Sequence, residues 1–331
     1  MKIGICCVAA SSLIAPALAA QVQVASLGTC PLEMGGSVED CRLGYMTFGT
    51  LAPDRRNAVL IPTWFASRAE AWRPLLGPEA LVDTIGLYVV VVESLGAGSS
   101  SSPSTSRTQA GLSFPEITVG DMVEASYRLA RERLGLPELY AVVGISLGGL
   151  QAFEWAVSHP EYVRRVVPIV GTPRQAVYDR AMWELIAEAA DGRARGLSPT
   201  QAGLDDLARL LVLAGTSPEA ANRQPTSRYL VAEREQVAAA DMFEWAWHAR
   251  AILRHDVTRH YGGDLARAAS VWKGRMLVVT ATYDHSISPQ PAQEFARYVN
   301  ADTLVLTSAA GHVDVFSNRE AQASVRAFLR R

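Results

Sequence analysis

The sequence predicts an α/β fold in which a mainly parallel central sheet carries helices on both faces and an inserted helical cap. Short, continuously apolar runs rich in β-branched residues lie at 58–61, 87–92, 139–143, 166–170, 276–280 and 303–306. Runs of this kind are typical of strands that are covered on both faces. Helical patterns alternate with these runs, and this rhythm favours parallel strands joined by crossover helices. The rhythm stops between about residues 172 and 270, and this interruption indicates the cap.

The composition is that of a large folded chain rather than a disordered or nucleic-acid-binding one. The chain has 331 residues, 49% of them hydrophobic, and a formal net charge of -2. This length permits a sizeable core, and the hydrophobic content excludes global disorder. The net charge shows no excess of positive side chains of the kind that binds nucleic acid. No apolar run reaches the roughly 20 residues that a membrane span needs.

Residues 1–20 have the pattern of a Sec-type signal peptide. Lys2 precedes an apolar run, and the small-residue stretch 15–20 contains Ala17 and Ala19, which fit a signal-peptidase site. The expected localisation is therefore secreted or periplasmic, or cytoplasmic if the segment is not cleaved. The alternative interpretation is a disordered or helical start of a cytosolic enzyme.

The next element is a predicted hairpin that carries two cysteines. Gly35-Gly36 lies midway between Cys30 and Cys41, and a two-residue turn there places the two cysteines directly opposite each other on neighbouring strands. A disulfide between them is expected in an oxidising compartment. The alternative is a pair of reduced, half-buried thiols.

The stretch 144–149, with the sequence GISLGG, joins a predicted strand to a predicted helix and matches a G-x-S-x-G pattern. A serine on a strained turn crowds its neighbours, and glycine at positions 144 and 148 lets the strand and the helix pass closely. Ser146 is then exposed at the carboxyl end of the sheet, beside a helix N-terminus that favours negative charge. The alternative is a glycine-serine turn without chemistry.

Two further residues complete a candidate catalytic triad. A serine hydroxyl is a poor nucleophile unless a base accepts its proton, and an acid must hold the tautomer of that base. Asp284 lies just beyond the strand predicted at 276–280, and His312 lies just beyond the strand at 303–306. The order Ser146, Asp284, His312, with each residue at the carboxyl end of a strand, indicates nucleophilic catalysis.

Each of these two assignments has a neighbouring alternative. His285 adjoins the candidate acid, but it precedes the last strand, so His312 is the preferred base. Asp314 lies only two residues from His312, and this separation is too short for its carboxylate to reach the imidazole easily. The remaining histidines form no metal-ligand set, and neither a metal nor another cofactor is predicted.

Acyl transfer also needs hydrogen-bond donors for the oxyanion of the tetrahedral intermediate. One expected donor is the backbone N-H of Leu147. The other is expected from the loop 62–67, from Phe65 and otherwise from Trp64. The side chains of Trp64 and Trp183 are candidate walls of the substrate pocket, although packing is the commoner role of such tryptophans.

The cap is predicted from four helical patterns, at 179–190, 203–213, 230–237 and 241–253. The stretch that contains them has no convincing strand, which favours an insertion over the site rather than an independent domain. The expected division of the chain is a signal peptide at 1–20, the first part of the core at 21–171, the cap at 172–270 and the second part of the core at 271–331.

Three stretches resemble one known family, the homoserine O-acetyltransferases of the α/β-hydrolase fold. Residues 114–123 (FPEITVGDMV) and 144–155 (GISLGGLQAFEW) are similar to the signatures FPxITxxDMV and GxSMGGMQALEW of that family, and 45–51 (YMTFGTL) is similar to Y-x-T-(Y/F)-G-x-L. The resemblance covers about residue 28 to the end. It implies an acyl-serine intermediate on Ser146, a Ser-His-Asp triad, a helical cap and homodimers that form through the cap.

Two departures from the family pattern concern the amino-acid substrate. The arginine that holds the homoserine carboxylate is replaced by alanine, at Ala187, in the matching stretch 183–190. The aspartate that directly follows the catalytic histidine and holds the substrate amine is replaced by Val313, with the acid one position later. Losing both partners leaves the charges of an amino acid uncompensated, which disfavours homoserine as the acceptor.

Three functions follow from these observations. The first is a serine esterase that acts on a small acyl ester, with water as the acceptor of the acyl group. The second is an O-acyltransferase of the homoserine O-acetyltransferase type that uses acetyl-CoA. The third is a non-catalytic binding protein with the same fold. The expected partner is a small-molecule acyl ester, and neither nucleic acid nor a membrane span is expected.

Overall fold

The structure of the protein is a computed structural model that describes residues 21–196, 201–223, 225 and 230–330. The signal peptide predicted at 1–20 lies outside the described residues, as do short pieces of the predicted cap. Within the described part of the chain, no helix combines the length and the apolar character needed to cross a bilayer.

The described strands form one sheet in the order β1-β2-β4-β3-β5-β6-β7-β8. Their bounds are β1 (Gln23–Pro31), β2 (Ser37–Gly49), β3 (Ala58–Pro62), β4 (Tyr88–Val92), β5 (Ala141–Ile145), β6 (Arg165–Ile169), β7 (Arg275–Ala281) and β8 (Asp302–Leu306). Strands β3 to β8 run parallel, whereas β2 is antiparallel to both of its neighbours, β1 and β4. The predicted mainly parallel sheet is therefore confirmed.

The described α-helices lie between and beyond these strands. Their bounds are α1 (Val119–Arg128), α2 (Leu147–Ser158), α3 (Val177–Ala194), α4 (Gln201–Gly215), α5 (Pro218–Asn222), α6 (Val231–Ala239), α7 (Met242–Arg254), α8 (Leu265–Ala269), α9 (Gln290–Tyr298) and α10 (Arg319–Arg330). Helix α1 begins directly after Thr118, which forms a capping box with Asp121 at the N-terminus of the helix.

The sheet is covered by packed side chains on both of its faces. Along β3, Leu60 joins one buried cluster while its neighbours Val59 and Ile61 join the other. Phe153 of α2 packs against Phe295 of α9 on the first face, with their ring centroids 5.1 Å apart. Because the strands are buried on both sides, they read as continuous apolar runs rather than as alternating ones.

The cap is built from helices inserted between β6 and β7. Helix α3 packs against α7, and α4 packs against α6. Trp183 and Ile186 of α3 and Trp245 of α7 are buried between the cap and the core. The predicted inserted cap is confirmed, and its helices lie over the carboxyl ends of the parallel strands.

The register of the β1-β2 hairpin differs from the prediction. Cys30 lies opposite Val38, and Cys41 lies opposite Gly28, where the pairing is irregular. The connection is the loop 32–36 rather than a two-residue turn, and Gly28 has φ 71°. A bulge in β1 and a longer loop thus shift the two strands relative to each other, so Cys30 and Cys41 are not directly opposite.

The predicted disulfide between Cys30 and Cys41 nevertheless forms, across a Cα–Cα distance of 5.7 Å. Replacing both cysteines by alanine is expected to lower the free energy of unfolding by about 3 kcal/mol, because the bridge restricts the unfolded chain. Urea unfolding of the variant and of the oxidised parent measures this difference. Each single variant should lose as much as the double one, and a double variant with the parental unfolding midpoint contradicts the prediction.

Candidate active site

The candidate nucleophile stands on a sharp turn between β5 and α2. Ser146 has φ 57° and ψ -120°, a conformation that residues with a side chain seldom adopt. A Cβ atom on Gly144 would lie 1.9 Å from the carbonyl oxygen of Gly148, and one on Gly148 would lie 2.6 Å from that of Pro62. The glycines at both positions are therefore required by close approach of the backbone.

The structure brings Ser146, His312 and Asp284 together. His312 lies in a short 3₁₀-helix (Gly311–Phe316) after β8, and its Nε2 is 2.9 Å from Ser146 Oγ. Its Nδ1 is 2.7 Å from Oδ2 of Asp284, which follows β7. The side chain of Asp284 is 1% exposed and that of His312 is 13% exposed, so most of this chain of hydrogen bonds is shielded from water.

The second carboxylate oxygen of Asp284 is held by the backbone. Its Oδ1 accepts hydrogen bonds from the N-H groups of Ser286, at 2.9 Å, and Ile287, at 2.8 Å. The carboxylate is an acceptor, so the proton shared with His312 belongs to Nδ1. This tautomer leaves the lone pair of Nε2 directed at the Ser146 hydroxyl, as proton transfer from serine requires.

The loop between β7 and α9, which carries Asp284, is attached to the cap. Trp183 Nε1 donates to the carbonyl of Ser286 at 3.1 Å, and the Ser286 hydroxyl donates to the carbonyl of Ala214 at 2.8 Å. Asp179 accepts a hydrogen bond of 2.6 Å from the hydroxyl of Ser288, and burial raises the pKa of this aspartate. The position of the acid thus depends on α3 and α4.

The two neighbouring alternatives are placed differently. His285 is half-buried beside Asp284, whereas the hydrogen bond to Ser146 comes from His312. Asp314 accepts a 2.8 Å hydrogen bond from Asn318 Nδ2, at the start of α10, while Asp284 is the carboxylate that contacts His312. The geometry therefore favours His312 and Asp284 over the two alternatives.

The predicted oxyanion donors belong to two different elements of the core. Leu147 is the first residue of α2, and Phe65 lies in the loop after β3. Among the described residues, neither backbone N-H has a hydrogen-bond acceptor. Both groups are thus free to donate to a bound oxygen atom, as the oxyanion of a tetrahedral intermediate requires.

A cavity of about 300 Å³ opens onto Ser146 and His312. Both tryptophans predicted as walls, Trp64 and Trp183, line it. Its other described lining residues include several that the sequence did not indicate, namely Met182, Ile186, Leu211, Val212, Glu233 and Phe316. Most of them lie on cap helices, whose pattern predicts helix but not the surface that the helix faces.

The polar character of the cavity bears on the two departures from the homoserine enzymes. Ala187 is 7% exposed and belongs to the hydrophobic core, whereas Val313 lines the cavity. Apart from His312, Glu233 is the only ionisable side chain among the described lining residues. No group of histidine, cysteine and carboxylate side chains in the described chain is arranged to hold a metal ion.

Comparisons with known proteins agree with this architecture. The family model of the alpha/beta hydrolase fold matches residues 59–318. An ethyl acetate hydrolase from Pseudomonas veronii is 31% identical over 319 residues, which are 89% of this chain and 90% of that protein. A homoserine O-succinyltransferase from Methylibium petroleiphilum is 30% identical over 314 residues, 81% of each chain.

The likeness extends to solved structures. The structure of an acetylester hydrolase from Corynebacterium glutamicum is similar to this one with a TM-score of 0.86 and 28% sequence identity. The match covers 94% of this chain and 96% of that chain. Ser146, Asp284 and His312 also lie within residues 59–318, which the family model matches.

Proposed function

This chain belongs to the α/β-hydrolase fold family, within the homoserine O-acetyltransferase-like group that also contains esterases, and from this premise we propose that it is a serine esterase of small acyl esters. One observation carries the proposal. A continuous set of hydrogen bonds runs from Ser146 Oγ through the His312 ring to Asp284, beside two free backbone donors. An arrangement of this kind activates a serine for attack on a carbonyl carbon.

In the first half-reaction, Ser146 Oγ bonds to the carbonyl carbon of the ester while His312 Nε2 takes the hydroxyl proton. The negative charge that develops on the carbonyl oxygen is stabilised by the N-H groups of Leu147 and Phe65. The bond to the alcohol oxygen then breaks, and His312 protonates the departing alcohol. The acyl group remains on Ser146 as an ester.

In the second half-reaction, water bonds to the acyl carbon while His312 takes one of its protons. The bond to Ser146 Oγ breaks, this oxygen regains a proton from His312, and the carboxylic acid leaves. The carboxylate of Asp284 accepts the hydrogen bond from Nδ1 of His312 throughout the reaction. Its negative charge stabilises the imidazolium that forms in each step. The net reaction converts an ester and water into an acid and an alcohol.

The dimensions of the cavity support small substrates. Its volume of about 300 Å³ is at the lower end of ligand pockets, and its walls include Trp64, Trp183 and Ile186. Aromatic and aliphatic walls suit a short acyl chain and a neutral alcohol. The names of the Pseudomonas and Corynebacterium relatives also refer to acetate esters.

The same cavity argues against an amino-acid acceptor. Val313 offers no partner to an ammonium group, and Ala187 offers none to a carboxylate. Glu233 is available to an ammonium group, but the described lining holds no lysine or arginine that could pair with the carboxylate of homoserine. Acyl transfer to homoserine is the second candidate, because the homoserine O-succinyltransferase of Methylibium is 30% identical to this chain, and acetyl-CoA is the acyl donor to test first.

A panel of acyl esters tests the first candidate against the second. We expect purified protein to hydrolyse acetyl esters of neutral alcohols at least about tenfold faster than octanoyl esters, since a small apolar pocket discriminates by chain length. Release of CoA from acetyl-CoA should not depend on homoserine. A homoserine-dependent release of CoA that exceeds ester hydrolysis would assign the protein to the transferases instead.

A further inference from the structure

A buried histidine of the cap contacts the loop that carries a proposed oxyanion donor. His248 lies on α7, and its side chain is completely buried. Its Nδ1 accepts a hydrogen bond of 3.1 Å from the backbone N-H of Ala66. Its Nε2 is 3.0 Å from the carbonyl oxygen of Leu95, in the loop after β4. One ring therefore joins two loops of the core to a helix of the cap.

These partners fix both the charge and the tautomer of the ring. A carbonyl oxygen only accepts, so Nε2 of His248 carries the proton, and a backbone N-H only donates, so Nδ1 is the lone pair. The imidazolium form places an N-H against the N-H of Ala66 and is excluded by this arrangement. Burial acts in the same direction, because it lowers the pKa of His248 to about 4.

The contacted residue is part of a constrained turn. Ala66 has φ 46°, in the left-handed region that a residue with a side chain adopts only when its surroundings hold it there. The N-H of Ser67 donates to the carbonyl of Trp64 at 3.1 Å and closes this turn. Phe65 lies inside the turn, so the direction of its N-H depends on how the turn is held.

A second contact from the same helix holds the end of the turn. Glu244 lies one helical turn before His248 on α7 and forms a bidentate ion pair with Arg68, at 2.7 and 3.1 Å. The ring of Phe65 packs against Trp245 of this helix, with the centroids 5.1 Å apart. Helix α7 thus contacts the loop 63–68, which we name the β3 loop, at Phe65 itself and at two positions after it, Ala66 and Arg68.

We propose that His248 is a positioning residue, whose Nδ1 fixes the β3 loop so that the Phe65 N-H is directed at the oxyanion of the reacting ester. The proposal rests on the proposed esterase function. His248 itself does not touch the substrate. The fixed donor stabilises the transition state more than the bound ester, so loss of the contact lowers kcat rather than raising KM.

Two substitutions test the contacts of the two ring nitrogens of His248 separately. In His248→Asn, the side-chain oxygen takes roughly the place of Nδ1 and keeps an acceptor for Ala66, while the contact to Leu95 is lost. In His248→Gln, the amide nitrogen takes roughly the place of Nε2 and keeps a donor for Leu95, while Ala66 loses its acceptor. Both variants remove the ring, so both lose similar packing.

We expect His248→Gln to lower kcat by about 10- to 100-fold with little change in KM, because a slightly misdirected group costs rate at this scale. His248→Asn should stay within about threefold of the parent if the Ala66 contact is what matters. The affinity for an alkyl boronic acid, which forms a tetrahedral adduct with Ser146, should weaken in His248→Gln in parallel with kcat.

His255→Gln is the matched control, since His255 is also buried and contacts the carbonyl of Thr172 through Nε2. It should lose thermal stability without a comparable loss of kcat. The positioning role is wrong if kcat falls equally in the two His248 variants and in step with the decrease of their melting temperatures. It is also wrong if kcat is unchanged in both variants. If wild-type protein hydrolyses no ester in the panel, the proposed function fails first.

Discussion

Replacing Ser146 by alanine is expected to lower kcat by about six orders of magnitude, which leaves only the residual rate that the oxyanion donors and substrate binding support. The reason is geometric, because Ser146 Oγ is the atom 2.9 Å from His312 Nε2 and no other nucleophile occupies that position among the described residues. Steady-state hydrolysis of an acetyl ester measures the loss. The melting temperature should change little, since alanine occupies the same turn with one atom fewer.

A control distinguishes this loss from damage to helix α2. Ser158 lies at the other end of the same helix and is exposed, so Ser158→Ala should hydrolyse the ester at the parental rate. A fluorophosphonate probe should label the parent and Ser158→Ala, but not Ser146→Ala. Undiminished turnover by Ser146→Ala would falsify the esterase mechanism.

The second largest effect is expected from Asp284→Asn, which should lower kcat by about 10⁴-fold, as the corresponding change does in other serine triads. The backbone explains why. Oδ1 of Asp284 accepts two N-H groups, so an asparagine directs its oxygen to them and its amide nitrogen to His312. That nitrogen donates to Nδ1, which moves the imidazole proton to Nε2 and leaves no base for Ser146.

Asp314→Asn is the matched control for this change, because Asp314 is the other acid near His312. Its carboxylate contacts Asn318 instead, so the variant should retain kcat within about threefold. Measurement of kcat for both variants with the same ester decides between them. A large loss in Asp314→Asn together with near-parental activity in Asp284→Asn reverses the assignment of the acid.

The prediction of the fold succeeded because its signals are local. A strand covered on both faces has to be continuously apolar, and helices connect most of these strands, so the chain order of the runs indicates a parallel sheet. The tight turn at Ser146 is also a local signal, since the contact that requires Gly144 is with Gly148 in the same turn, although Gly148 itself is required by the approach of Pro62 from β3. Asp284 and His312 were indicated by their places after β7 and β8.

The hairpin shows where local reasoning fails. The midpoint glycines indicated a turn, but the pairing of β1 with β2 is shifted by the irregularity at Gly28 and by the loop 32–36. A bulge inserts a residue on one strand only, and an apolar pattern does not record it. The predicted disulfide was correct although the predicted register was wrong, because cysteines that are not directly opposite can still be bridged at a Cα–Cα distance of 5.7 Å.

The sequence by itself determined the order of strands and helices, the turn that presents Ser146, and the residue types of the base and the acid. Only the tertiary structure decided which cap side chains besides Trp183 line the cavity, and that His248 contacts Ala66 across 182 positions of sequence. The physical reason is the range of the interactions. Periodicity and turn chemistry act over a few residues, whereas the orientation of the cap is set by the packing of many distant side chains at once.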